Sequence, residues 1–338
     1  MAKPIEDVRE ISRIAYGFMA SKALFAALHL DVFSRLDARP QTAAELAADA
    51  GVAEARMQTL LSALAGLGLI VARDERWINA PASARYLVTG SRAGFSEYYR
   101  AQIDEQVYPL LTHLMNGLRG DDEHLAGVLH RDQMADAKEA EQFSRAQHAG
   151  SLGPAHVLAR RVDLSNATRL LDVAGGSGAF TITLCARFPE LRATILDFPN
   201  VITVARRYVA EAGLSDRVEF LSGNALDVDW PSADVVLMSY LLSAVPGADI
   251  GTLLARAHDA LSPGGRFLVH DFMLDDDRQG PDLAALWFLQ YLALSTDTVS
   301  FSQAEITDQL HEVGLAEIVG EPLIPSVTRL VSAVRPDH

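Results

Sequence analysis

Apolar and polar positions divide the chain into two textures. From Arg9 to about Arg100, apolar residues recur at helical spacing in alanine-rich stretches such as Phe18-Met19-Ala20-Ser21-Lys22-Ala23-Leu24-Phe25-Ala26-Ala27-Leu28, which predicts amphipathic helices. Thr42-Ala43-Ala44-Glu45 matches a capping box with Thr42 as cap. The helix over Met57–Gly66 ends in glycine and gives way to Leu69-Ile70-Val71, with Arg76-Trp77-Ile78-Asn79 as the return strand of a small ribbon. Helix, turn, helix and a two-stranded wing form a winged-helix-like pattern. Residues 101–160 read as a helical connector, after which strands and helices alternate. The expected strands are Leu170–Val173, Ala193–Asp197, Val218–Leu221, Asp234–Ser239 and Arg266–Asp271. Helices are expected from Val201 to Ala212 and from about Asp249 to Leu261, with Ser262-Pro263-Gly264-Gly265 as a turn. Repeated βα units predict an α/β fold with a doubly wound, mostly parallel sheet over residues 161–338, behind a helical domain at 1–100.

Composition narrows the partners. A 338-residue chain that is 49% hydrophobic has room for about two domains. Acidic residues outnumber basic ones 44 to 29, a net charge of -15, which argues against phosphate-backbone binding and leaves a small molecule as the expected partner. The second helix of the winged segment carries Ala55, Leu60, Leu61 and Leu64 and few basic residues, so an apolar dimer contact is expected there rather than a groove-reading helix. No apolar run reaches the roughly 20 residues that span a bilayer, and Met1-Ala2-Lys3-Pro4-Ile5-Glu6-Asp7-Val8 lacks a signal-peptide core, so a cytoplasmic location with no membrane association is expected. The single cysteine, Cys185, excludes an internal disulfide and a cysteine-rich metal cluster. No metal site is expected, and the run Asp275-Asp276-Asp277 reads as a solvated turn.

The first strand empties into Ala174-Gly175-Gly176-Ser177-Gly178 before a helix. Glycines there allow close backbone approach to a ligand, and helix-start amides favour a polar or anionic group. About 20 residues on, Asp197 can accept hydrogen bonds from a ribose diol; it can equally cap the helix opening at Pro199. A dinucleotide fingerprint beginning at Gly176 and Gly178 requires Gly or Ala at position 181, where the chain has Thr181. The run from Asp172 through Gly175, Gly176 and Gly178 instead suits the amino acid end of S-adenosylmethionine, with Asp172 near its ammonium.

Four stretches, Leu171-Asp172-Val173-Ala174-Gly175-Gly176-Ser177-Gly178, Leu196-Asp197-Phe198-Pro199, Gly223-Asn224-Ala225-Leu226 and Leu261-Ser262-Pro263-Gly264-Gly265, resemble in order and spacing the small-molecule methyltransferases of the plant caffeate and bacterial polyketide O-methyltransferase type. The resemblance covers residues 10 to 335 and implies a Rossmann-like methyltransferase sheet and a homodimer formed by the N-terminal domain. It also implies S-adenosylmethionine as cofactor, with Gly175, Gly176 and Gly178 along the methionine moiety, Asp197 and Phe198 at the ribose, Asn224 and Ala225 at the adenine, and Ser239 and Tyr240 completing the set. Asn224 stands where the family usually has aspartate.

One departure bears on the acceptor. Where the family carries the histidine that deprotonates a phenol, this chain reads Ser239-Tyr240-Leu241-Leu242-Ser243-Ala244-Val245, with Ser243 at the histidine position. An unassisted serine is no base near neutral pH, so no catalytic residue is assigned. His148, His270 and Tyr240 are the candidate bases. A thioether sulfur needs no base, and an aromatic pocket would hold the resulting sulfonium by cation–π attraction. Trp287 and Tyr291 fall on the substrate side by resemblance. Tyr98, Tyr99, Tyr108, Gln147 and His148 are further candidates, and Arg100, Arg119 and Arg145 could fork a substrate carboxylate. The serine at 243 and His270-Asp271-Phe272-Met273-Leu274-Asp275-Asp276-Asp277 resemble the bacterial methylthiohydroxybutyrate S-methyltransferases of dimethylsulfoniopropionate synthesis. The expected reaction is therefore S-methylation of a small thioether carboxylate, for which Ser243→Ala should leave most activity intact. The alternatives are O- or C-methylation of a phenolic, polyketide or tetrapyrrole metabolite, a non-methylating pericyclase or decarboxylase on the same fold, and a winged-helix regulator.

Overall fold

Apolar side chains at period 3.6 in the first third of the chain and at period 2 in the last half each find a core of their own. The computed structural model describes residues 4–91, 94–121, 134–295 and 297–337; residues 122–133 of the expected connector, and Met1 to Lys3, lie outside the described residues. One compact unit ends at Val107 and another begins at Tyr108.

The first unit is helical: Val8–Ala15, Gly17–His29, Val32–Ala38, Ala43–Ala50, Glu54–Gly66 and Pro81–Tyr86. The Thr42 capping box forms in both directions, with Thr42 Oγ1 accepting from the Glu45 amide and the Glu45 carboxylate accepting from the Thr42 amide. The expected ribbon is present as β1 (Ile70–Arg73) and β2 (Arg76–Asn79), paired antiparallel. Phe25, Phe33, Leu46, Met57, Leu61 and Leu64 are buried together. Leu61 and Leu64 therefore belong to this unit's own core and are not the dimer contact expected of them, since a side chain with no exposed surface has none to offer a partner. Exposed apolar side chains gather earlier, at Val8, Ile11, Ile14, Phe18 and Met19, and two more, Leu67 and Val71, follow the Glu54–Gly66 helix. Tyr98–Val107 winds as a π-helix whose Asp104 is paired with Lys22 and His29.

The second unit holds a seven-stranded sheet: β3 (Arg169–Val173), β4 (Arg192–Asp197), β5 (Val218–Ser222), β6 (Ala233–Ser239), β7 (Leu261–Asp271), β8 (Ala316–Ile324) and β9 (Thr328–Val334), in the order β5-β4-β3-β6-β7-β9-β8. The first five positions are parallel, and β9 runs antiparallel to both β7 and β8. The two final strands extend the sheet beyond what periodicity predicted. Side-chain alternation splits the core between the faces. Leu171, Val173, Val236, Met238, Phe267 and Val269 bury on one side, and Leu170, Val235, Leu237, Leu268 and Ile195 on the other. Each such leucine contributes about 1.5–3 kcal/mol through burial, and both faces need helices over them.

Helices Pro199–Glu211 and Gly247–Ala260 form close to their expected bounds. The turn expected at Ser262-Pro263-Gly264-Gly265 is instead an irregular opening of β7. Ala233 pairs with Leu261 and Val235 with Arg266, and the surplus residues bulge around Gly264 at φ +71°. The three aspartates at 275–277 diverge. Asp275 pairs with Arg329, Asp276 accepts from the Ala304 amide, and Asp277 accepts from the Gln279 amide. Among the described residues no helix is long and apolar enough to cross a membrane.

Candidate active site

In a doubly wound sheet ligands gather at the carboxyl ends of the strands. Here β3, β4, β6 and β7 deliver Asp172, Asp197, Ser239 and Asp271 to that edge. The loop after β3 turns on positive φ at Ala174 (55°), Gly176 (57°) and Gly178 (81°). Gly175 is required for a different reason, since a Cβ there would lie 2.8 Å from Asp172 Cγ and 3.1 Å from Ile195 Cγ2. Beneath the loop, Thr181 Oγ1 donates to Asp172 Oδ2 at 2.6 Å. In sequence Thr181 is only a failed third glycine, yet its buried hydroxyl holds the first acid of the cradle. Burial pushes the Asp172 carboxyl up to about 7; the Thr181 hydroxyl pulls against that shift and the Asp197 charge adds to it.

Asp197 closes the same loop. Its Oδ2 accepts from the Gly176 amide at 2.8 Å and its Oδ1 from the Phe198 amide at 2.7 Å. Burial lifts its carboxyl to about 6, against those two hydrogen bonds. The helix at Pro199–Glu211 has Phe198 as cap residue and no side-chain cap, so the capping role open to Asp197 is not taken. Phe198 packs with Met134, Ala140 and Val201. After β5, Asn224 Oδ1 accepts from the Leu226 amide while its Nδ2 donates to Asp227, and the Ala225 carbonyl accepts from the Trp230 indole at 2.9 Å. The Asn224 side chain thus shapes its own turn.

His148 approaches from the helix Ala137–Arg161. Its Nδ1 shares a 2.8 Å hydrogen bond with Ser177 Oγ in the glycine loop, its ring stacks on Tyr208 at 3.8 Å, and burial lowers it to about 4. It is neutral near pH 7. On the same helix Arg145 is exposed and Gln147 half-buried.

His270 is fully buried, with Nδ1 bonded to Ser239 Oγ and Nε2 to Thr328 Oγ1, each at 2.8 Å, and burial lowers it to about 3. Both ring nitrogens are committed, so as a candidate base it is a structural imidazole. Tyr240 sits at φ +60° with its amide donating to the His270 carbonyl, and its ring lies between Phe180, His270 and Phe272.

Beyond β6 and β7 an aromatic wall forms. Trp287 stacks on Phe272 at 4.6 Å, Tyr240 meets Phe272 at 5.4 Å, and the Trp287 indole donates to the Tyr291 hydroxyl at 3.3 Å. Behind it lies Ser243, buried, its amide donating to Asp271 Oδ2 at 3.1 Å. Ser243 Oγ faces the Asp271 carboxyl and the Tyr291 phenol, but no group meets it in good hydrogen-bond geometry. Burial raises the Asp271 carboxyl to about 6 and the Tyr291 phenol to about 12. Asp271 and Phe272 carried no assigned role in the sequence reading. The available signal was an acid ending the buried run Phe267-Leu268-Val269.

The remaining candidates sit elsewhere or apart. Arg100 Nη2 donates to both carboxylate oxygens of Glu97 at 2.9 and 2.7 Å and lines a recess of about 220 Å³ with His29 and Asp31 in the first unit. Of the three arginines that could fork a carboxylate, Arg100 thus already spends its Nη2 on Glu97. Tyr98 and Tyr99 belong to a cluster with Phe95 in that unit. Tyr108 opens the second unit, half-buried, and Arg119, exposed, ends the helix Leu114–Arg119.

Residues 115–316 match the pattern of an O-methyltransferase domain, and residues 12–89 that of an O-methyltransferase dimerisation domain. The chain is 31% identical over 310 residues to the 3-hydroxy-5-methyl-1-naphthoate 3-O-methyltransferase of Streptomyces sahachiroi, covering 91% of this chain and 89% of that protein. It is 29% identical over 313 residues to the tetracenomycin polyketide synthesis 8-O-methyl transferase of Streptomyces glaucescens, covering 91% of each. Its fold matches the crystal structure of human N-acetylserotonin methyltransferase with a TM-score of 0.86 at 23% identity, over 99% of this chain and 100% of that one.

Proposed function

Because the chain belongs to the O-methyltransferase family, we propose that it transfers the methyl group of S-adenosylmethionine to a hydroxyl on a flat aromatic or polyketide-type small molecule, and that it works as a homodimer. The observation that carries the acceptor class is the wall of Tyr240, Phe272, Trp287 and Tyr291 beside Ser243 and Asp271. Stacked and tilted rings present π faces to a planar guest.

The glycine cradle fits the donor on its own terms. A Cβ at Gly175 would strike the Asp172 carboxyl, and two buried carboxyls held at about 7 and about 6 stand where a cation would relieve their desolvation. When bound, S-adenosylmethionine supplies an electrophilic methyl group on a sulfonium sulfur. Asp172 is assigned to its ammonium, Gly175, Gly176 and Gly178 to the methionine backbone, and Asp197 to the ribose. Asp197 carries two amide donors, and its carboxylate has acceptor capacity left for a diol. Phe198, Asn224, Ala225, Ser239 and Tyr240 complete the assigned pocket. His148 holds Ser177 in place.

The thioether acceptor, and with it a role in dimethylsulfoniopropionate synthesis, draws no support from the two Streptomyces relatives described above, which are named for O-methylation. Dimer formation rests on the dimerisation-domain match and on the exposed Val8, Ile11, Ile14, Phe18 and Met19.

The test is incubation with methyl-labelled S-adenosylmethionine and a panel of hydroxynaphthoates, phenols, enols and methylthio acids, with label located by mass spectrometry. Label on an aromatic hydroxyl is expected. Label confined to sulfur, or retention of the donor with transfer to no acceptor, would overturn the reading.

A further inference from the structure

A buried hydroxyl with no hydrogen-bond partner is costly unless something completes it. Ser243 Oγ is such a group, and it lies at the meeting of two others, the Asp271 carboxyl and the Tyr291 phenol. We propose that Tyr291, Ser243 and Asp271 form a proton relay that takes the proton of the acceptor hydroxyl and stores it on Asp271. The inference rests on the reading that the acceptor is a hydroxyl.

The order of the groups follows from their surroundings. Of the three, Tyr291 keeps some exposed surface while Ser243 and Asp271 are 1% exposed, and its hydroxyl meets the Trp287 indole of the wall, so it is the member on the acceptor side. Tyr291 Oη already accepts from the Trp287 indole, which leaves one lone pair for an incoming hydroxyl and its own proton for Ser243. Ser243 Oγ can accept that proton and pass its own to Asp271. The carboxyl is fixed for this purpose, Oδ2 by the Ser243 amide and Oδ1 by the Phe272 amide at 2.8 Å. The Tyr291 phenol faces it. The phenol, pushed up to about 12, stays protonated and can only relay. The carboxyl, at about 6, is ionised near pH 7 and can receive.

The balance closes. The acceptor oxygen forms a bond to the methyl carbon of the sulfonium donor while the carbon–sulfur bond breaks and sulfur keeps the electron pair. The acceptor proton moves to Tyr291 Oη, the Tyr291 proton to Ser243 Oγ and the Ser243 proton to Asp271, which later gives one proton to water.

The test compares the dimeric wild type with Ser243→Ala, Tyr291→Phe and the double variant, on phenols with hydroxyl pKa values on either side of the assay pH. Donor affinity is followed by calorimetry. For weakly acidic phenols each single variant should lose turnover by about a hundredfold, the double variant should lose no more than either single, and donor affinity should hold. For phenols already ionised at the assay pH the turnover loss in Ser243→Ala should be at least tenfold smaller than for weakly acidic ones. The acidic limb of the wild-type pH profile should disappear in Ser243→Ala. A wild type that methylates weakly acidic phenols alongside an equally fast Ser243→Ala would overturn the relay and leave the hydroxyl reading standing. A wild type that methylates thioethers and no hydroxyl would overturn both, and there Ser243→Ala should be silent.

Discussion

The glycine turn after β3 and the aromatic wall beyond β7 stand at one edge of the same sheet and are built from different materials. The turn is backbone held by side chains. Asp197 accepts the Gly176 amide, Thr181 steadies Asp172, and His148 braces Ser177. The wall is side chain held by side chain, with Trp287 on Phe272, Phe272 on Tyr240 and the indole on Tyr291. A backbone cradle tolerates few residues at each place, whereas an aromatic wall can be rebuilt from many. The first therefore suits an invariant donor and the second a changing acceptor.

Gly175→Ala should break the contrast hardest on the donor side. The added carbon must displace Asp172 or Ile195, and S-adenosylmethionine affinity should fall roughly a hundredfold by calorimetry. Thr181→Val removes the hydroxyl on Asp172 while keeping the shape. Donor affinity should fall about tenfold with the melting temperature little changed; an equal affinity would remove Thr181 from the cradle.

Protonation sharpens the comparison further. Burial raises Asp172 to about 7 and Asp197 to about 6. Without donor, the folded chain holds more protons than the unfolded one between about pH 4 and those values, and stability should fall as pH rises through that window. A bound sulfonium and ammonium favour the ionised forms, so donor binding should release on the order of one proton at pH 6 and tighten toward pH 8. Titration calorimetry in two buffers of different ionisation enthalpy reads this directly, and proton uptake would contradict it. The smallest effect belongs to His148→Phe, which keeps the stack on Tyr208 and loses the Ser177 bond. Donor affinity should weaken only a few-fold.

The same contrast decides how much the sequence disclosed. The cradle was legible because its needs are positional: glycines after an apolar strand, and an acid at the end of the next strand. Thr181 was visible only as a mismatch, since nothing in its neighbours says that its hydroxyl meets Asp172 across nine residues. On the acceptor side Trp287 and Tyr291 were named, but Phe272 and Asp271 became meaningful only when β7 set them beside Ser243. His270 looked like a base because a histidine in sequence carries no sign of its neighbours, and Ser239 and Thr328 occupy both its nitrogens. In the same way nothing in sequence said that Arg100 Nη2 meets Glu97 three residues before it. In the helical unit the period located Leu61 and Leu64 on one face but not which core that face enters. The bulge that opens β7 was hidden by a Pro-Gly-Gly run that reads locally as a turn.

Crossed calorimetry on two variants tests the central claim, that donor and acceptor sides are separable devices. S-adenosylmethionine and a hydroxynaphthoate acceptor are each titrated into Gly175→Ala and Trp287→Ala. Gly175→Ala should lose the donor and keep the acceptor, while Trp287→Ala should lose the acceptor and keep the donor. Equal weakening of both ligands in both variants would contradict the claim.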